Sequence, residues 1–292
     1  MNKKAIIAGV LASASWGTVF FFGQIAVQTG FHPLGVAFFR FLSASIFLFF
    51  YHFIAKGKFF LEKKDVLNFL LLGATGIAGM NIFIFYSLRF TDSTITSLLM
   101  NANGFIIAIL GFFLLREKIG ISELAGLLVG IAGCWLIFTQ GDLSKISHSN
   151  LKGNTLAACA SFCWAFYSVW GKKTNVIEKY GAILSTLWAS VFGSIMLGII
   201  VYFSNILLVF DVKNILISIY LGIVPAGIGF TLWFYSIDRL KTIIPGIIQF
   251  LAPLTTALLA ITFLNQRVSS ATVIGGLLIV SGILFSLKNQ PQ

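Results

Sequence analysis

The feature that most constrains the fold of this chain is a series of ten long apolar runs. A helix that spans the hydrocarbon core of a bilayer needs about 20 consecutive apolar residues, and these runs approach or reach that length. Short segments that carry charges and turn-forming residues join them. We therefore predict an all-α integral membrane protein with ten transmembrane helices. The runs are 5–27, 34–54, 66–88, 95–115, 121–139, 154–171, 181–203, 214–236, 243–264 and 270–287.

Composition also favours a membrane-embedded chain over a soluble one. Of the 292 residues, 58% are hydrophobic and 10% are charged, whereas soluble domains are about 25% charged. The net charge of +11 does not indicate nucleic-acid binding, because the basic residues lie between the apolar runs and form no patch. The three cysteines lie inside apolar runs at spacings that suit no metal site. We expect no metal, no cofactor and no nucleic-acid partner.

The distribution of basic residues predicts the orientation of the helices. Lysine and arginine are enriched in the cytoplasmic loops of membrane proteins. If the N-terminus is cytoplasmic, fourteen basic residues lie on the cytoplasmic side, five lie on the outer side and Arg40 lies within a run. Both termini are therefore predicted to be cytoplasmic, in a multi-pass protein of the bacterial inner membrane. The five outer residues are Arg89, Lys145, Lys152, Lys213 and Arg267.

The second part of the chain repeats the first at a nearly constant offset. The first helices match at a spacing of 148, which places Trp16 opposite Trp164, and later positions match at a spacing of 149. We predict two five-helix domains, residues 1–141 and 150–292. Matched pairs at the second spacing are Gly73 and Gly222, Phe85 and Phe234, Gly126 and Gly275, and Gly133 and Gly282.

The odd number of spans in each predicted domain has a mechanistic consequence. The second domain must enter the membrane from the side opposite to the first, which makes the repeat an inverted one. Inverted repeats are typical of carriers, in which two related gates alternate around one central site. The sequence thus predicts a secondary transporter that works by alternating access.

Short motifs near the ends of the predicted helices carry a family resemblance. They are Ser15-Trp16-Gly17, Phe38-Phe39-Arg40-Phe41, Phe85-Tyr86-Ser87-Leu88, Leu114-Leu115-Arg116-Glu117, Phe234-Tyr235-Ser236 and Pro253-Leu254, with Gly126, Gly133, Gly275 and Gly282. In this order the chain resembles the drug/metabolite transporter superfamily, and within it the ten-helix EamA-like family. The resemblance implies secondary transport of small metabolites, often outward, including amino acids. The family usually carries a glutamate at the equivalent turn of both repeats. This chain departs from that pattern, because Glu117 is matched in the second repeat by Gln266.

Arg40 is the clearest charged residue within an apolar run. A charge at the centre of a membrane helix costs about 2.5–3.5 kcal/mol on insertion scales, so Arg40 is a candidate gating residue or anchor for a substrate anion. The alternatives are snorkelling to the headgroups or hydrogen bonding to carbonyls of a neighbouring helix. No acid lies at the middle of any run, which favours a facilitator over a proton-coupled antiporter. Proton coupling would have to use Asp92, Glu117, Asp238 or His32 at helix ends.

Aromatic and amide side chains within the runs are the candidate substrate-binding residues. An amide that faces lipid leaves its donors unpaired, so it should face a cavity or another helix. Ring faces combined with amides suit an uncharged or zwitterionic substrate. The alternatives are core packing, an interfacial aromatic belt and hydrogen bonds between helices. The candidates are Trp16, Trp164, Trp188, Tyr86, Tyr235, Asn81, Asn101 and Gln249.

The function predicted from the sequence is export of small metabolites such as amino acids, by a monomer or a homodimer in the lipid bilayer. A proton-coupled multidrug exporter is the main alternative. A membrane-embedded enzyme would need a polar catalytic cluster at a membrane face, and the sequence contains no nucleophile motif or phosphate-binding loop. No catalytic residue is therefore predicted. A channel is the remaining alternative, although the inverted repeat favours a carrier.

Overall fold

The computed structural model describes residues 2–87, 90, 96, 99–142, 151–206, 211–264 and 270–287, and these residues are mostly helical and contain no strand. Several residues named above, Arg89, Asp92, Lys145, Gln266 and Arg267, lie outside these ranges. The first half contains α1 (Lys3–Gln28), α2 (Pro33–Ile54), α3 (Val66–Leu72), α4 (Met80–Ser87), α5 (Asn103–Leu115) and α6 (Ile121–Thr139). The second half contains α7 (Leu151–Lys173), α8 (Val176–Phe203), α9 (Val212–Leu221), α10 (Gly229–Arg239), α11 (Ile243–Ile248), α12 (Leu251–Leu264) and α13 (Ser270–Leu287).

Seven of the described helical segments are long and apolar enough to cross a membrane, and Leu99–Leu115 and Ile243–Leu259 are shorter apolar helices. Large apolar side chains lie on the outer surface of the bundle, including Ile121 at 90% and Phe113 at 72% exposure. Extensive apolar surface of this kind suits contact with lipid. The protein is therefore a multi-span, all-helical membrane protein, as the sequence predicts.

Two π-helical segments occupy matched positions in the two halves. Gly73–Gly79 joins α3 to α4, and Gly222–Ile228 joins α9 to α10, and the two segments begin 149 residues apart. Pro225 lies inside the second segment, but the first contains no proline. Proline is therefore not the common cause of the π-helical geometry. Short π-helical segments within longer helices occur often at functional sites.

The two π-helical segments pack against the other half through equivalent backbone atoms. A Cβ added to Gly73 would lie 3.1 Å from the carbonyl oxygen of Ala189 in α8, and one added to Gly222 would lie 2.5 Å from that of Arg40 in α2. Ala189 and Arg40 are themselves 149 residues apart. This close contact thus has a counterpart in the other half, and glycine suits both positions because a neighbouring backbone approaches them.

The same relationship holds between α6 and α13. A Cβ on Gly126 would lie 2.5 Å from the carbonyl oxygen of Gly282, and a Cβ on Gly275 would lie 2.7 Å from that of Gly133. The order of these contacts means that the two helices run antiparallel. Small residues let membrane helices approach closely, and here they do so in pairs related by the sequence repeat.

Candidate functional site

A cluster of five aromatic side chains lies where the two halves meet, and we call it the aromatic cluster. The rings of Trp16 and Trp164 contact edge to face, with centroids 4.9 Å apart and planes at 88°. Trp233 lies 5.2 Å from Trp16, and Phe230 lies 5.1 Å from Trp164. Tyr167 completes the cluster, stacked 5.4 Å from Trp164. Edge-to-face geometry is favoured between rings because a positive edge meets a negative face.

Helical spacing explains how two helices supply four of these rings. Trp164 and Tyr167 are three residues apart on α7, and Phe230 and Trp233 are three residues apart on α10. Residues three apart lie on the same face of an α-helix. The repeat-matched Trp16 comes from α1, so both halves contribute to one cluster.

Hydrogen bonds from the indole groups extend the cluster to polar groups of other helices. Trp164 Nε1 donates to Gln249 Oε1 over 3.1 Å, and Gln249 Nε2 donates to Asn103 Oδ1. Trp16 Nε1 donates to the carbonyl oxygen of Pro225 over 3.1 Å, which lies within the second π-helical segment. The site therefore joins a ring surface to amide groups, and it is tied directly to one π-helical segment.

Arg40 lies beside this cluster rather than at the lipid surface. It is only 4% exposed, and its Cζ lies 5.0 Å from the ring centroid of Phe41 and 6.0 Å from that of Phe230. Its Nε is buried without a hydrogen-bond partner. Among the described residues, no acid forms an ion pair with it. The guanidinium is thus a buried cation whose charge no described residue balances.

The other predicted site residues are distributed more widely. Asn81 is buried and donates back to the carbonyl oxygen of Ile77 within its own half, over 2.6 Å. Trp188 donates to the carbonyl oxygen of Phe60, outside the aromatic cluster. Asn101 is buried and precedes α5, close in sequence to Asn103.

Both predicted tyrosines lie near helix ends. Tyr86 is half-buried next to the last residue of α4. Tyr235 lies in the last turns of α10, where the guanidinium of Arg239 is 4.0 Å from its ring centroid. The structure thus brings Trp16, Trp164 and Gln249 together, while Arg40 lies next to them through Phe230.

Three members of the site were not among the predicted substrate-binding residues: Tyr167, Phe230 and Trp233. Tyr167 is fully buried, and its hydroxyl has no hydrogen-bond partner among the described residues. Its spacing of three from Trp164 was the available signal. Phe230 and Trp233 gave a weaker signal, because position along a helix does not reveal which face points inward.

Ion pairs connect the halves at one face of the bundle, which we call the N-terminal face. It holds the turns between α5 and α6, between α7 and α8, and between α10 and α11. Lys172 Nζ lies 2.9 Å from Glu117 Oε1. The other carboxylate oxygen of Glu117 accepts from the backbone nitrogen and the hydroxyl of Thr242, over 2.7 and 2.8 Å. The Glu117 carboxylate of the first half therefore binds both the end of α7 and the turn before α11 in the second half.

Three further acid–base contacts at this face join the halves in the same sense, with the acid in the first half and the base in the second. Lys241 Nζ lies 2.9 Å from Glu123 Oε1. Lys179 Nζ lies 2.5 Å from Asp65 Oδ2 and 2.8 Å from Glu62 Oε2. The hydrogen bond from Lys179 lowers the pKa of the Glu62 carboxyl below its ordinary value. The N-terminal face is closed by charge-assisted contacts.

Two contacts between the halves at the opposite face are hydrogen bonds between uncharged groups. Thr29 Oγ1 donates to Asn214 Oδ1 over 2.8 Å, and Gln140 Nε2 lies 3.3 Å from Thr272 Oγ1. Asn214 is matched by Asp65 in the repeat, at an offset of 149. This repeat position therefore carries an ion-paired acid, Asp65, at the N-terminal face and an uncharged amide, Asn214, at the opposite face.

Comparison with known proteins gives a consistent result over the whole chain. A profile of the EamA-like transporter family matches residues 3–139 and 151–288. The chain is 28% identical to a protein of Archaeoglobus fulgidus named an uncharacterized transporter, with full coverage of both chains. It is 25% identical to a probable amino-acid metabolite efflux pump of Salmonella typhimurium, over 98% of this chain and 96% of that one. A crystal structure that is 18% identical superposes with a TM-score of 0.85, covering 99% of this chain and 98% of the other.

Proposed function

Because the chain belongs to the EamA-like transporter family, and is a membrane transporter rather than an enzyme, we propose that it exports small metabolites such as amino acids by alternating access. The proposed arrangement has ten transmembrane helices in two inverted five-helix domains, with both termini cytoplasmic. The proposed location is the bacterial inner membrane. Two relatives carry the name probable amino-acid metabolite efflux pump, which supports this substrate class.

The observation that carries the proposal is the paired contact pattern between the halves. The close approach of Gly73 to the Ala189 carbonyl matches that of Gly222 to the Arg40 carbonyl. The approach of Gly126 to the Gly282 carbonyl matches that of Gly275 to the Gly133 carbonyl. An inverted repeat can exchange the conformations of its two halves, which opens one face as it closes the other. Matched packing on both sides of the cluster supports such an exchange.

The ion pairs support an assignment of the state of the transporter. If the N-terminal face is cytoplasmic, as the distribution of basic residues predicts, the pairs made by Glu117 and Glu123 close the cytoplasmic gate. Partly exposed pairs contribute only about 0.2–1 kcal/mol each. A gate held by a few such contacts can open on the timescale of transport.

The chemistry of the aromatic cluster supports an amphipathic substrate. Ring faces bind apolar groups, and the amides of Gln249 and Asn103 can exchange their mutual hydrogen bond for bonds to a ligand. No acid contacts the cluster among the described residues, which supports facilitated exchange over proton antiport. The same observation disfavours an organic cation as the substrate.

Counterflow into proteoliposomes tests the proposal. Vesicles loaded with unlabelled amino acid would be diluted into a panel of radiolabelled amino acids, with and without an imposed pH gradient. We expect saturable uptake that the internal amino acid accelerates and that the gradient leaves unchanged. Linear uptake without acceleration would indicate a channel, and accumulation driven by the gradient would favour the proton-coupled multidrug exporter.

A further inference from the structure

We propose that Arg40 is the anion-recognising residue of the transport site, and that it binds the carboxylate of a substrate whose apolar part lies on the aromatic cluster. This inference rests on the proposed transport function and specifies its substrate class. It assigns the substrate an obligatory carboxylate, so esters, amides and organic cations would not be transported.

Arg40 carries a buried charge that no described group balances. Moving a cation out of water costs several kcal/mol even after the surroundings relax. Arg40 is 96% buried, since its exposed fraction is 4%, and the rings of Phe41 and Phe230 are its described charge-stabilising contacts. A cation–π contact stabilises the charge only in part and satisfies no N–H donor. The rings therefore leave a deficit that an anion would remove.

The sequence repeat supplies an internal comparison for this position. The residue matched to Arg40 is Ala189, and both use their carbonyl oxygens to meet a glycine of the other half. An alanine is therefore sufficient for the packing that this position performs. The arginine side chain is an addition found in one half only, which indicates one anion site in each transporter chain.

Burial also argues against a role at the membrane surface. A snorkelling arginine extends along the outside of a helix and places its guanidinium among the headgroups. Arg40 is instead covered by protein, and it contacts Phe230, which itself touches both Trp16 and Trp164. A ligand held by the guanidinium would thus lie next to the rings.

The number and geometry of charges indicate a carboxylate rather than a phosphate. A guanidinium matches the two oxygens of a carboxylate with two parallel hydrogen bonds. One arginine balances the single charge of a carboxylate but leaves a phosphate monoester with excess charge, and no other base contacts the cluster among the described residues. An amphipathic carboxylate therefore matches the chemistry of both parts of the site.

Matched ligand pairs test the inference in phosphatidylcholine proteoliposomes, where no anionic lipid is present. Competitors of labelled phenylalanine uptake would be N-acetylphenylalanine, which keeps the carboxylate, and N-acetylphenylalaninamide, which differs only in lacking it. We expect the wild type to be inhibited by the acid and not by the amide. Arg40→Gln should weaken inhibition by the acid about 10- to 100-fold, as expected for lost charge-assisted hydrogen bonds, and Arg40→Lys should lie between. Equal inhibition by acid and amide in the wild type would overturn the inference and leave the transport function standing.

Thermal unfolding in detergent gives a readout that does not depend on transport. Removing an unbalanced buried charge should raise the melting temperature of the ligand-free protein, whereas loss of a structural pair would lower it. Arg40→Gln should therefore melt above the wild type and lose the stabilisation that N-acetylphenylalanine confers. Arg239→Gln, which removes an exposed arginine paired with Asp238, is the control and should change neither quantity. A lower melting temperature for Arg40→Gln would overturn the inference.

The two experiments separate the inference from the function on which it rests. If the wild type transports no member of the panel but is stabilised by the acid through Arg40, carboxylate binding stands and the transport proposal fails. If neither transport nor stabilisation by the acid is observed, both are overturned.

Discussion

Lys172 of the second half lies 2.9 Å from Glu117 of the first, at the face where α1 begins. The pair is partly buried, with side chains 21% and 16% exposed, and Glu117 is also bound by Thr242. The position matched to Glu117 in the repeat is Gln266, which carries no charge. A glutamate at this turn is therefore present in one half only, so a charged gate of this design cannot form symmetrically.

Loss of the Glu117 carboxylate should weaken closure of the N-terminal face. We expect Glu117→Gln to increase the population open at this face about fivefold, which corresponds to a contribution of about 1 kcal/mol from a partly exposed pair. Leu114→Cys, in a background without Cys134, Cys159 and Cys163, would report opening through its rate of labelling by a maleimide. Lys172→Met should have a similar effect, and the double variant should add little.

The matched control is an exposed pair at the same face. Lys64 and Glu62 are 74% and 46% exposed, so Lys64→Met should leave the labelling rate unchanged. Equal effects of Lys64→Met and Lys172→Met, which change the net charge by the same amount, would mean that net charge, rather than the specific pair, controls opening.

Raising the ionic strength should open the N-terminal face by weakening the pair between Lys172 and Glu117. Salt screens partly exposed ion pairs over about 8–10 Å at physiological concentration and over shorter distances above it. Raising salt from 0.1 to 1 M should increase maleimide labelling of Leu114→Cys in the wild-type background. The same change should have a much smaller effect in Glu117→Gln. If salt accelerates labelling equally in both proteins, Glu117 is not the screened group.

Glycine at the π-helical contact should be required for stability. A Cβ on Gly76 would lie 2.2 Å from the ring of Tyr167, and a Cβ on Gly193 would lie 2.3 Å from Ile77. We expect Gly76→Ala and Gly193→Ala to lower the free energy of unfolding by about 1–3 kcal/mol, the usual cost of overpacking. Differential scanning fluorimetry in detergent would measure the change in melting temperature.

Gly23→Ala is the control for these substitutions. No atom lies within 4 Å of a Cβ added at Gly23, and alanine favours the helix by roughly 1 kcal/mol relative to glycine. Its melting temperature should equal or exceed that of the wild type. If Gly23→Ala lowered the melting temperature as much as Gly76→Ala does, the effect would come from the loss of any glycine rather than from the close contact.

Trp164 should influence substrate affinity more than Trp188. Trp164→Phe keeps a ring but removes the donor to Gln249 Oε1, and we expect the KM to rise about 5- to 10-fold, because a buried acceptor loses its partner at a cost of about 1–3 kcal/mol. Trp188→Phe removes a bond to Phe60 outside the cluster and should leave KM within twofold. The reverse order of effects would place the substrate near Trp188.

The sequence was most informative where a property depends on hydrophobicity or on the repeat. Apolar length predicted the spanning helices, and the 149-residue offset predicted that Gly73 and Gly222 would be equivalent. The π-helical geometry at those glycines could not be predicted in the same way. It depends on which carbonyl each backbone N–H reaches, and hydropathy does not report that choice.

The candidate site was predicted only in part, for a geometric reason. Repeat symmetry indicated that Trp16 and Trp164 should face a common axis, and their rings are in contact. Trp188 and Tyr235 met the same criteria of residue type and location within a run, yet they lie outside the cluster. The direction in which a side chain points around its helix depends on neighbouring helices, which a single sequence does not specify.

The central claim is that the two halves alternate around the aromatic cluster, with the N-terminal face closed by ion pairs in the state described here. Electron–electron distance measurements between spin labels at Lys118 and Lys173, in a cysteine-free background, test it most directly. We predict a short-distance population in the wild type, and a second, longer population that grows when transported amino acid is added and is about fivefold larger in Glu117→Gln. A single distribution, unchanged by amino acid and by Glu117→Gln in protein that still transports, would contradict the account.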